Sequence, residues 1–312
     1  MTKEVESEAK KITIHPLLEE LRGNPVAGNG NNYYFSSFDG TRIFYRVWKP
    51  LKEVKKIVIV SHGMGGHGEF FVLLADKLVN YGIMVISPDY RNHGYSDGEK
   101  GDLKSFKLIL KDLSYFLKYI KVEYPGIPIF LFGESMGGIT TINFAKHYPN
   151  DFLDLSGLIL FSPGIKPNIP KKFWLGIALI ALPLLLFRVF FPSKKVYSTE
   201  SDKNEGIKSP IHQRYDKEEP QHIKKLSIRY ILQVFKYMHK TSKIAPIISI
   251  PVIIFQGNLD KGISPEAVEK FHEKLGAKDK KLFIIDEGYH ALMTDPSFQD
   301  KWEILLEWIK SH

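Results

Sequence analysis

The chain has 312 residues, 44% hydrophobic and 25% charged, a balance that argues against wholesale disorder and allows one large core. Forty-three basic against 35 acidic residues give a net charge of +8, spread without a basic patch interleaved with aromatics, so nothing points to nucleic acid and only a weak pull toward anionic surfaces remains. There are no cysteines, which excludes disulfides, thiolate nucleophiles and Cys-ligated metals.

Residues 1–32 read as a flexible arm. Met1 to Lys11 alternates charges and lacks the apolar core of a secretory signal, so the expected location is cytoplasmic. Gly23-Asn24-Pro25 and the Gly/Asn-rich Gly28 to Asn32 are expected to hold no regular structure. A hairpin follows, with Tyr33-Tyr34-Phe35 and Ile43 to Trp48 as β-type runs flanking Asp39-Gly40. From Lys56 onward, short continuous apolar runs recur at 57–60, 83–87, 129–132, 158–161, 252–255 and 282–285. Runs without alternation read as strands buried on both faces of a parallel sheet. Stretches of helical spacing alternate with them: Phe70 to Tyr81, Ser105 to Tyr124, Gly137 to Tyr148 and Pro296 to Lys310. This predicts an α/β fold with a mostly parallel central sheet flanked by helices. The alternation breaks over 162–249, a gap of about ninety residues that is far longer than an ordinary connection and reads as an inserted, mostly helical cap. The core is therefore expected in two parts, 33–161 and 250–312.

Ligands of such sheets bind at the carboxyl ends of the strands, so the residues just after each run carry the chemistry. After 129–132 comes Gly133-Glu134-Ser135-Met136-Gly137, followed by a helical stretch. Alone, a Gly-x-Ser-x-Gly pentapeptide is modest evidence, and a serine there could simply cap the helix. Between a buried strand and a helix, however, it fits a nucleophile turn, in which glycines let neighbouring backbone approach a strained serine. A serine hydroxyl needs a base and an orienting carboxylate, and on such a sheet they follow in the order Ser, acid, His. The run 252–255 leads to Asp260, and 282–285 leads to His290.

Of the eleven histidines, His290 alone follows the last strand. His212, His222 and His239 lie in the insertion, His147 and His272 in helices, and His312 at the terminus. Asp260 could instead organise the turn before Ser264-Pro265, and Asp286 or Glu287 could orient His290. Asp260 is preferred because those two lie too few residues from His290 to reach its ring. The loop Ser61-His62-Gly63-Met64-Gly65-Gly66-His67 follows 57–60 and is thin enough to present backbone N–H groups. Met64 and Met136 are the expected oxyanion donors. The same loop lacks the Gly spacing and the Gly-Lys-Ser/Thr ending of a phosphate cradle.

From about Phe35 to its end, the chain resembles α/β-hydrolases of the monoacylglycerol lipase and lysophospholipase group. The resemblance rests on Asp39-Gly40, His62-Gly63-Met64-Gly65, Asp89 to Gly98 (DYRNHGYSDG), Gly133 to Gly138, Asp260 and Glu287-Gly288-Tyr289-His290. It implies the α/β-hydrolase fold with a lid and a Ser135–His290–Asp260 triad. Asn92 stands where the group usually carries glycine. Glu134 replaces the more common histidine and is similar to plant-type members, some of which act on phenolic esters.

Within the insertion, Phe173 to Phe191 is a nineteen-residue apolar run interrupted by Pro183 and Arg188 and flanked by Lys171-Lys172 and Lys194-Lys195. It is long enough to span a bilayer, but a single crossing would separate Ser135 from Asp260 and His290. It is therefore expected to be a lid, with Phe173, Trp174, Leu175, Ile177, Leu179, Leu182, Leu184 and Phe187 facing the acyl chain or a membrane surface, and with Pro183 breaking the helix. The expected function is serine carboxylester hydrolysis of a monoacylglycerol or lysophospholipid. No metal or organic cofactor is implied. A broader esterase, thioesterase or acyltransferase would use the same residues, whereas a non-catalytic membrane scaffold would be expected to carry a damaged triad.

Overall fold

The computed structural model describes residues 12–22, 25–28, 30–168, 190–199 and 206–312. Strands β1 (Asn31–Ser36) and β2 (Arg42–Trp48) form the hairpin, turned at Gly40 with φ +80°. The six apolar runs are strands β3 (Lys56–Ser61), β4 (Ile83–Pro88), β5 (Ile129–Glu134), β6 (Gly157–Phe161), β9 (Val252–Gly257) and β10 (Lys280–Ile285). They build an eight-stranded sheet in the order β1-β2-β4-β3-β5-β6-β9-β10, antiparallel only at the β1-β2 and β2-β4 pairings. Both faces of β3 to β6 and of β9 are covered, which is why their sequences do not alternate. Strand β10 departs from the expectation for 282–285, because as the edge strand it leaves Leu282 and Phe283 half-buried and Ile284 exposed.

Helices α3 (Phe106–Glu123), α4 (Met136–His147) and α5 (Pro149–Leu153) belong to one face, and α2 (Val72–Leu78) to the other. The first apolar layer joins Ile57, Ile59 and Leu131 to Phe106, Leu117 and Ile142. The second joins Val58, Val60 and Phe132 to Leu74 and Leu305. Alternate side chains of single strands thus enter opposite layers.

The insertion between β6 and β9 contains a ribbon of β7 (Lys195–Ser198) and β8 (Lys225–Ser227) together with helices α6 (Pro210–Glu218) and α7 (Ile228–Thr241). It touches loops at the carboxyl ends of three strands. Ile223 donates its N–H to Gly65 O (2.9 Å), Ser227 to Gly101 O (2.8 Å), and Gly206 O accepts from His290 N (3.1 Å). The chain closes with α8 (Pro265–Glu273), capped by the Ser264 hydroxyl, and α9 (Trp302–Ser311).

Two elements enter the stretch assigned to an arm from sequence: β1 already begins at Asn31, paired with Val47 of β2, and a helix precedes it. Pro16–Arg22 forms helix α1, with Leu17 and Leu18 buried among Phe70, Phe71 and Tyr215. The Arg22 guanidinium meets the Asp76 carboxylate at 2.7 and 2.9 Å, so burial and an ion pair hold a helix too short to form alone. The apolar run's lid residues Phe173, Trp174, Leu175, Ile177, Leu179, Leu182, Leu184 and Phe187 lie outside the described residues. Among the described residues, no helix is long and apolar enough to cross a membrane.

Candidate active site

Ser135 sits between β5 and α4 with φ +53° and ψ −112°, a conformation that a side chain adopts only when its surroundings impose it. The glycines around it explain how. A Cβ at Gly133 would lie 2.6 Å from Gly137 O, and one at Gly137 would lie 1.8 Å from Ser61 O. One at Gly138 would lie 2.6 Å from Pro163 Cβ. Any larger residue would push the turn off the strand ends. The Ser135 N–H donates to Phe161 O at 3.0 Å, anchoring the turn to β6.

His290 Nε2 lies 3.0 Å from Ser135 Oγ, and His290 Nδ1 lies 2.7 Å from Asp260 Oδ2. The structure thus brings the three residues singled out from sequence into one relay. Asp260 Oδ2 also accepts from Gln256 Nε2 (2.9 Å), and Oδ1 accepts from the backbone N–H groups of Gly262 (2.8 Å) and Ile263 (2.9 Å). Burial works against the Asp260 charge, but the His290 ring and these donors hold its carboxyl below the usual range. Burial likewise opposes a charged His290. The Asp260 carboxylate outweighs it and raises the imidazole above its usual range, with Glu134 adding a smaller pull.

Asp286 and Glu287 point elsewhere. Asp286 accepts from Asn258 Nδ2 at 2.7 Å, and Glu287 faces Lys208 at 3.9 Å.

A Cβ at Gly63 would stand 3.7 Å from Ser135 Cβ, so the loop after β3 runs directly beside Ser135. Among the described residues, no hydrogen-bond acceptor is found for the N–H groups of Met64 and Met136. Met136 N–H also opens α4, where the helix dipole favours negative charge. Asn92 adopts φ +68°, a region that asparagine tolerates better than most residues, in place of the group's usual glycine.

Two supporting features lacked a sequence signal, and a third, Glu134, stood out in the sequence only as a departure from the resembled group. Ser162, at φ +42°, donates its hydroxyl to His290 O at 2.8 Å. Gln256 secures Asp260 from the end of β9. Glu134, half-buried beside the nucleophile, has its carboxyl pushed up to about 7 by burial, against the opposing pull of His290 and His212. For Ser162 and Gln256, only their strand-end positions could have drawn attention.

A strained serine at a strand-to-helix turn, bonded through a histidine to a buried aspartate on a mostly parallel sheet, defines an α/β-hydrolase. The model of the serine aminopeptidase S33 family matches residues 52–297, and the chain belongs to that family. Among curated relatives, it is 28% identical over 254 residues to the monoglyceride lipase of Rattus norvegicus, covering 81% of each chain. It is 32% identical over 226 residues to a monoglyceride lipase homolog of Monkeypox virus, covering 71% of this chain and 76% of that one. Among solved structures, a soluble variant of monoglyceride lipase from Saccharomyces cerevisiae, in complex with a substrate analog, superposes with a TM-score of 0.80. It is 24% identical, and the match covers 93% of this chain and 97% of that one.

Proposed function

We propose that the protein is a serine carboxylester hydrolase that cleaves a lipid ester of the monoacylglycerol type. The observation that carries this reading is the unbroken relay from Ser135 Oγ through His290 to Asp260, on a chain whose curated relatives include monoglyceride lipases. His290 takes the Ser135 proton as Oγ attacks the ester carbonyl, and Asp260 holds the imidazolium that forms. The carbonyl oxygen, now negative, is received by the N–H groups of Met64 and Met136. Collapse of this intermediate expels the alcohol, which takes the proton from His290 and leaves an acyl group on Ser135. Water, deprotonated by His290, then releases the fatty acid.

The inserted segment serves as a lid for an apolar acyl chain and meets a lipid surface. Phe190 and Phe191 are 75% and 53% exposed, an apolar pair suited to a lipid surface. The decisive experiment is a hydrolysis panel of monoacylglycerols, lysophospholipids, phenolic esters and short p-nitrophenyl esters, with Ser135→Ala as control. Turnover of monoacylglycerol that Ser135→Ala abolishes is expected. Selective turnover of phenolic esters would overturn the substrate assignment. Pelleting with phosphatidylserine vesicles, weakened by Phe190→Asp/Phe191→Asp, is the expected sign of membrane contact.

A further inference from the structure

The motif Asp89 to Gly98 carries much of the family likeness, yet it contributes nothing to the Ser135–His290–Asp260 relay. Its buried side chains converge instead on Met136, the residue after the nucleophile. Tyr90 donates its hydroxyl to Thr140 Oγ1 (3.1 Å), and Thr140 Oγ1 donates to Met136 O (3.1 Å). The main chain of Met136 is thereby tied to the motif from below.

The second tie comes from the insertion. Tyr230, on α7, is fully buried, with its hydroxyl oxygen 2.8 Å from His93 Nε2 and 3.2 Å from Met136 Sδ. His93 Nδ1 lies 3.1 Å from Arg91 O, a carbonyl that can only accept, so Nδ1 carries the ring proton and Nε2 is left as an acceptor. Burial pushes the His93 imidazole down to about 4, which keeps it in this neutral form at ordinary pH. The single Tyr230 hydroxyl hydrogen is therefore drawn to His93, with the thioether sulfur as a second, weaker acceptor. The phenol oxygen is fixed against the Met136 side chain.

The base of Tyr230 is equally constrained. Its N–H donates to Ser227 Oγ (3.1 Å), and Ser227 Oγ donates to Asp102 Oδ1 (2.6 Å). On the other side, the His62 ring packs against Tyr90 and His93 at centroid distances of 4.1 and 5.2 Å. His62 Nε2 accepts from Tyr90 N (3.1 Å), which leaves Nδ1 to donate to Gly63 O (2.8 Å) in the loop that carries Met64. One buried stack thus reaches both backbone N–H groups assigned to the oxyanion.

We propose that Tyr230 is a positioning residue: its hydroxyl, anchored on His93, sets the place of Met136 and so couples seating of the inserted helix to the shape of the oxyanion pocket. The proposal rests on the assignment of Ser135 as nucleophile and Met136 N–H as an oxyanion donor. A displaced donor weakens stabilisation of the developing charge without touching ground-state binding, so the effect falls on kcat and not on KM.

The test is Tyr230→Phe, which removes one oxygen. Two rates are read at neutral pH, phosphonylation of Ser135 by a fluorophosphonate probe and hydrolysis of a p-nitrophenyl ester. Both are expected to fall about tenfold with KM within about twofold, less than the hundredfold or more lost with an oxyanion donor itself. Met136→Leu keeps the volume and removes the sulfur, and it is expected to give a similar fall on its own. In the double variant the two falls should not multiply, because they interrupt one contact. Tyr230→Phe at the wild-type rate overturns the proposal, as does a double variant in which the two effects simply multiply. A wild-type protein that does not label at all overturns the assignment of Ser135, and with it this inference.

Discussion

The Ser135 turn and the inserted segment that lies against it share an apolar layer but are fixed by different kinds of further contact. Around Ser135, position comes from shape: strands buried on both faces, three glycines pressed against neighbouring backbone, and main-chain hydrogen bonds to β6. The inserted segment shares the apolar layer through Leu226, Val234 and Tyr237, and its contact with the core is also threaded by buried polar pairs. Asp102 meets Ser227 and Arg229, His67 Nε2 lies 3.4 Å from Glu219 Oε1, and Tyr230 meets His93. Close packing tolerates no change in volume, whereas buried polar pairs can be separated one at a time. The difference suits an enzyme whose nucleophile must not move while the structure above it admits a long substrate.

Gly137→Ala should break the first half of the comparison most severely. In an ordinary helix this change would stabilise by up to about 1 kcal/mol. Here the added carbon would stand 1.8 Å from Ser61 O. A loss of about 3 kcal/mol or more is expected instead, read as a lower urea midpoint with unchanged slope. Asp102→Ala tests the second half. It removes a buried carboxylate bonded to Ser227 and to Arg229, whose own side chain is 24% exposed. A cost of about 2 kcal/mol is expected, discounted for that exposure. Limited proteolysis should then cut within 162–249 before the sheet opens, and simultaneous cutting of both regions would erase the distinction.

The smallest effect belongs to Glu134, a polar group set on the close-packed side. Glu134 helps to raise His290, and the base works only when neutral, so activity is lost as pH falls through the His290 value. Glu134→Gln removes that pull and lowers the His290 value. The acid limb of the kcat/KM profile should move to lower pH, while the rate near pH 8 stays within about twofold of wild type. A limb that stays in place would show that Glu134 does not act on the base.

What the sequence made legible follows from this same division. Strands buried on both faces announce themselves as unbroken apolar runs, and Ser135 and Asp260 each follow one, while His290 follows the shorter run of the edge strand β10. Close packing also writes itself as glycine, at Gly133, Gly137 and Gly138. Polar attachment leaves no such trace. Asp102, Glu219 and Tyr230 are ordinary residues until the fold brings Arg229, His67 and His93 to them across more than a hundred residues of chain. The ribbon of β7 and β8 was equally hidden, because Lys195–Ser198 is exposed throughout and carries no burial pattern. Helix α1 gave too little signal as well, with two buried leucines in seven residues.

That first helix reaches further than its length suggests. His15 donates its N–H to Glu69 Oε1 at 2.9 Å and sets its ring edge-on to Tyr215 of α6 at 5.4 Å, while Arg22 grips Asp76. Residues 12–22 therefore tie α6 of the insertion to α2 and the segment just before it, although some two hundred positions separate them from α6 along the chain. The insertion is not a transferable module. Grafted onto another hydrolase without residues 12–22, it would arrive missing one of its hinges.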